Sequence, residues 1–145
     1  ERVNARQKTV LFEKISRHFH GDLAGRTIAV WGLAFKPGTD DMREAPSLVL
    51  INALLEAGCS VRVFDPVAMD RGRALLGNAV FFARNMYEAA EGADALAVVT
   101  EWKEFRLPEW ERLHAAMKSP VIFDGRNVYR EESLKSAGFT GYRIG

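Results

Sequence analysis

Cysteine is almost absent. Cys59 stands alone among 145 residues, so an intramolecular disulfide frame is excluded and a reducing cytoplasm fits. It lies in EAGCSVRVFDP at a strand entrance and reads as a small buried apolar residue. Histidine is scarce as well. His18, His20 and His114 have no second ligand at metal spacing and read as helix-end or surface residues. No apolar run approaches the roughly 18–20 residues of a membrane span, and no signal-peptide pattern opens the chain. Charge of one sign is missing too: 20 Lys and Arg face 19 Asp and Glu, a net +1. Neither nucleic acid nor a membrane is called for as a partner. A local anion site is a separate question.

What remains is an ordinary soluble domain, with 48% apolar and 27% charged residues. Residues 3–19 read as a helix, with Phe12, Ile15 and Phe19 at helical spacing and Gly21 as a left-handed cap. Its basic residues, Arg2, Arg6, Lys8, Lys14 and Arg17, suit a solvated face or a dimer contact. Thr27 to Leu33 reads as a central strand, apolar on both faces. Further strands are expected at Ser60–Phe64, Val80–Phe82, Ala95–Val99, Val121–Phe123 and Tyr142–Ile144. Helices are expected at Ser47–Ala57, Met69–Leu76, Met86–Glu91, Glu109–Met117 and Glu132–Ala137, with Gly58 and Gly138 as stops. Strand and helix alternate throughout. The expected fold is α/β, a three-layer Rossmann-like sandwich around a mostly parallel six-stranded sheet, preceded by the end of a long helix. The chain opens on Glu1 inside a helical pattern, which suggests a piece of a longer protein.

A glycine fingerprint is the next thing missing. Gly32 follows the first strand, but Ala34 stands where G-x-G-x-x-G needs its second glycine. The loop onward to Ser47 is too long for a direct strand-to-helix turn. Asp65 imitates a ribose-binding acid but lies too far along the chain. A complete NAD-binding domain is therefore the weaker enzymatic reading. The loop offers side-chain cations instead. Lys36 is a mobile point charge; Arg43 is a planar fork suited to bidentate contact. Asp40 and Asp41 suit pairing with these cations, or with sugar hydroxyls, better than a divalent metal. Arg126 follows a later strand end, in FDGRN. Ligands of such sheets bind beyond the carboxyl ends of the strands. Two strand ends supplying cations point to an anion site there. Trp102, near that edge, reads as packing rather than as a cleft wall.

These residues resemble the C-terminal domain of the UDP-glucose/GDP-mannose dehydrogenase family. GLAFKPGTDDMREAPS, Gly32 to Ser47, looks like that family's hallmark loop. FDP at Phe64–Pro66, TEWKEF at Thr100–Phe105, FDGRN at Phe123–Asn127 and VNARQK at Val3–Lys8 match in the same order, over nearly the whole chain. The resemblance implies an NAD-dependent enzyme that oxidises C6 of a nucleotide sugar twice, from alcohol to acid. Residues 1–20 would end a central dimerisation helix, and 21–145 would form the UDP-sugar-binding domain. Phe35, Lys36 and Arg126 would hold the substrate. Arg43 would reach across to NAD bound mainly by an N-terminal domain of the same chain. The family's nucleophilic cysteine would lie upstream, so Cys59 is not that residue and the fragment alone would be inactive. KPGTDD and DGRN favour UDP-glucose, giving UDP-glucuronate, over GDP-mannose or amino-sugar relatives. A homodimer of the intact enzyme is implied. The rival from another class is a non-enzymatic Rossmann-like interaction module.

Overall fold

The structure is a computed structural model that describes residues 2–144, with side chains from residue 9 onward. The side chains of VNARQK, and of Arg2, Arg6 and Lys8 with them, lie outside the described residues. The elements run α1 (Arg2–His18), β1 (Thr27–Trp31), α2 (Pro46–Glu56), β2 (Ser60–Phe64), α3 (Met69–Leu76), a 3-10 turn (Gly77–Ala79) and β3 (Phe81–Phe82). Then come α4 (Met86–Ala90), β4 (Ala95–Val98), α5 (Lys103–Arg106), α6 (Trp110–Ala116), β5 (Val121–Asp124), α7 (Glu131–Ser136) and β6 (Thr140–Arg143). The sheet order is β3-β2-β1-β4-β5-β6. Every neighbouring pair is parallel, so the sheet is wholly rather than mostly parallel.

Strand side chains alternate between faces, and each face closes its own core. Ile28, Val30, Val63, Ala97 and Phe123 meet Ile15 of α1 and Leu50, Ile51 and Leu54 of α2 on one side. Ala29, Trp31, Leu96, Val98 and Ile122 meet α4, Phe105 of α5, Leu113 of α6 and Leu134 of α7 on the other. Burying each large aliphatic side chain contributes about 2 kcal/mol. Leu48, Val49 and Leu55 of α2 are only half-buried, so its apolar surface is more one-sided than its composition suggests. Trp31 stacks on Phe105, with ring centroids 5.0 Å apart, and its indole N–H donates to the Met86 carbonyl. At the amino edge of the sheet, buried Asp94 accepts the Thr27 N–H at 2.8 Å.

The helix stops show why the chain breaks where it does. Past α1, the Gly21 N–H reaches the Ser16 carbonyl and the His20 N–H reaches Arg17, the paired bonds of a Schellman cap. The cap's left-handed position belongs to His20, at φ 54, and Gly21 follows it at φ 76. Gly58 and Gly138 fill that position past α2 and α7, where Cys59 and Phe139 donate back to Leu54 and Leu134. Cys59 is buried, and its thiol donates to the Leu23 carbonyl at 3.4 Å. Burial and the nearby Asp94 push that thiol's pKa up, which suits an inert packing residue.

His18 makes an expected pH dependence concrete. Its Nδ1 lies 2.7 Å from the Tyr142 hydroxyl, and its ring packs edge-on against Phe123 and Tyr142. Burial lowers its pKa, helped by the charges of His20 and Arg26. A histidine depressed in the folded state leaves the unfolded chain binding more protons. Its stabilising effect is complete above pH ~6.5 and fades as pH falls from there toward the folded value. Urea midpoints measured from pH 8 to pH 5 should decline over that interval, and less steeply for His18→Gln. A variant that declines as the wild type does would exclude His18 as the source.

Candidate functional site at the carboxyl edge of the sheet

The edge is organised by two buried aspartates at strand ends. Asp65, just past β2, is fully buried. Its Oδ2 accepts the N–H groups of Leu33 and Ala34 at 2.7 and 3.2 Å, and the Trp102 indole N–H at 3.4 Å. Its Oδ1 accepts those of Val67 and Ala68 at 2.8 and 2.9 Å. Asp65 therefore braces the hallmark loop and has no oxygen to spare for a ribose. Asp124, ending β5, is buried as well, and accepts the N–H groups of Arg126, Val128 and Tyr129. It folds FDGRN into a turn, with Asn127 in the left-handed region.

Between these braces lies the start of the long loop. Gly32 still pairs with the sheet, donating to Phe64. At φ 104 it then turns the chain away, and the Leu33 N–H goes to Asp65. That is why Leu33, expected in the strand, falls outside it. The Leu33 carbonyl accepts the Ser47 hydroxyl, and the Ala34 carbonyl accepts the Thr100 hydroxyl at 2.6 Å. The loop base is thus bonded to the ends of β2 and β4 and to the first turn of α2.

Beyond that base the predicted side chains project. Phe35 and Lys36 are exposed, with the Lys36 ammonium 5.4 Å from the Phe35 ring centroid. Arg126, from the turn after β5, pairs with Glu101 after β4 at 2.9 Å. Thr100 ties β4 to the loop base and Glu101 ties it to Arg126, so polar contacts run along four neighbouring strand ends, β2, β1, β4 and β5. Lys36 and Arg126 share this edge. Arg43 is held apart by Asp41: its backbone N–H and Nε both donate to Oδ1 at 3.0 Å, and Nη2 donates to Oδ2 at 2.8 Å. Those bonds hold the Asp41 carboxyl down at about 2. Arg43 lines a groove of about 550 Å³ with Asp40, Met42, Leu48, Arg71 and Leu75, which neither Lys36 nor Arg126 enters.

Two rim residues, Thr100 and Glu101, were not among the expected site residues. Glu101 and Thr100 stand directly after the apolar run ALAVV, and that position at a strand end was the signal for both. Trp102 is half-buried and reaches the Asp65 brace, so it both packs and supports the rim. Trp110, on α6, packs against Tyr129 and Phe139. The Thr100 side chain fills the space beside Gly32 that a Cβ there would need, and both Asp65 oxygens are engaged by N–H donors. Among the described residues there is no His, Cys, Asp or Glu cluster that could hold a metal, and no helix long and apolar enough to cross a membrane.

The UDP-glucose/GDP-mannose dehydrogenase family, UDP binding domain, matches residues 29–131. A UDP-glucose 6-dehydrogenase of Pseudomonas aeruginosa is 51% identical across the whole of this chain, which covers 33% of that relative. Among solved structures, a UDP-glucose dehydrogenase from Pyrobaculum islandicum superposes with TM-score 0.79 at 30% identity, over 99% of this chain and 30% of that one. A UDP-D-ManNAc dehydrogenase from Pyrococcus horikoshii gives 0.73 at 30% identity, over 99% and 31%. The chain spans about a third of the length of the curated relatives it matches. The match of loop, strand ends and fold together places this chain in the UDP-glucose/GDP-mannose dehydrogenase family, as its UDP binding domain.

Proposed function

We propose that this chain holds UDP-glucose for an NAD-dependent enzyme that oxidises C6 to the carboxylate of UDP-glucuronate. Phe35 packs against the nucleotide sugar. Lys36 and Arg126 meet its negative charge. Arg43 stands off on its own groove and reaches toward NAD held by another domain of the same longer chain, residues 1–20 continuing into a dimer contact. A cytoplasmic homodimer is the setting this reading implies. The chain's own share is to bind and orient, and alone it oxidises nothing. One observation carries the reading: two cations from separate strand ends sit on one braced edge. The 51% identity to a UDP-glucose 6-dehydrogenase supports glucose over the GDP-mannose and amino-sugar alternatives.

The test is a titration of the chain followed by amide NMR. UDP and UDP-glucose should shift the amides of residues 33–36 and 124–127. Lys36→Ala and Arg126→Ala should each weaken UDP binding about tenfold, the scale of one lost charge-assisted bond. An unchanged spectrum at about 10 mM UDP, a concentration that populates even a millimolar complex, would leave the interaction-module reading. Tighter binding of GDP-mannose than of UDP-glucose would move the chain to the other branch.

A further inference from the structure

The pair between Glu101 and Arg126 has a one-cornered geometry. Both carboxylate oxygens approach the same nitrogen, Nη2: Oε2 accepts from it at 3.1 Å, and Oε1 lies 2.9 Å away without hydrogen-bond alignment. Oε1 is buried. The two side chains keep 34% and 31% of their exposure, so the pair is partly enclosed. Among the described residues, Nε and Nη1 of Arg126 make no hydrogen bond or ion pair. A guanidinium carries five donors in one plane. Glu101 engages one corner of that plane and leaves the other N–H groups of the fork unengaged by the described residues.

We propose that Glu101 is a positioning residue for Arg126: it clamps Nη2 and thereby aims the remaining N–H groups at the ligand's negative charge. The inference rests on the reading that Arg126 contacts that ligand. A free arginine loses much rotamer freedom when an anion captures it. A clamp made beforehand removes part of that cost, which is the gain of preorganisation. A carboxylate that only competed for the arginine would occupy two donors side by side, as bidentate pairs do. Glu101 does not.

The test is UDP titration of the chain by amide NMR in wild type, E101D, E101Q, R126A and E101D/R126A. Aspartate keeps the charge but is one methylene too short to reach Nη2; glutamine keeps the reach and an acceptor oxygen. E101D should bind UDP about fivefold more weakly, and E101Q within about twofold of wild type. In the R126A background E101D should add nothing, because the two positions act through one contact. A purely structural role would weaken binding equally in both backgrounds and would overturn the proposal. So would an E101D that binds as tightly as wild type, or more tightly, while R126A is weakened; the ligand reading would then survive alone. An R126A variant with unchanged affinity removes Arg126 from the site and this inference with it.

Discussion

Asp65→Ala is expected to lower the unfolding free energy by about 4 kcal/mol, a large share of the roughly 5–15 kcal/mol that a domain has. The reason is the number of groups that lean on one carboxylate. Leu33, Ala34, Val67, Ala68 and Trp102 all donate to it, and the residue has no exposed surface. Removing the side chain strands several of these N–H groups away from water, and each buried orphan costs about 1–3 kcal/mol. Asp65→Asn should cost about 3 kcal/mol, because its NH2 group would face N–H donors on one side of the hub. Urea unfolding with an unchanged slope checks both values. A loss below about 1 kcal/mol for the alanine variant would remove Asp65 as the brace of the loop.

Gly32→Ala is the second large effect. A Cβ there would lie 2.4 Å from Thr100 Oγ1, 2.5 Å from its Cβ and 2.7 Å from its backbone nitrogen. The first atom could swing aside; the backbone nitrogen cannot. The φ of 104 adds strain for any side chain. Together these should destabilise the chain by about 4 kcal/mol, or roughly 12 °C in melting temperature for a domain of this size. Adding Thr100→Gly should return part of the loss by clearing Oγ1 and Cβ, and the remainder reports the backbone. A Gly32→Ala variant that melts with the wild type would mean that the edge is looser than its contacts imply.

Much of this could be read without coordinates. β2 and α3 fall where the residues place them, Ser60–Phe64 and Met69–Leu76, because β2 alternates cleanly and clear breakers, Asp65-Pro66 and Gly77, bound the two. The strand ends were softer. Val99 looks like strand, yet the regular ladder stops at Val98. The last strand begins at Thr140 rather than Tyr142, since backbone pairing with β5 sets its start and Thr140 and Gly141 carry no apolar signal. The short α5, Lys103–Arg106, has too few residues to show a period. The site was legible in its cations, which are marked by type and position. Asp65 was rightly set aside as a ribose acid, but its role as a brace was hidden because its donors come from three segments that only the fold brings together. The Glu101 partnership was hidden for the same reason, with Arg126 25 positions further on.

The central place of β1 also governs how the molecule comes into being. One of its two neighbours is β4, and the bond from Thr27 to Asp94 spans 67 positions. No hairpin can start such a sheet, so the rate-limiting event is closure of a long loop, and refolding should take milliseconds to seconds. On a ribosome adding about 5–20 residues per second, β1 waits roughly 3 to 13 s for that neighbour. Throughout the wait, the peptide groups of Ile28, Ala29, Val30 and Trp31 on that side are open to any passing chain.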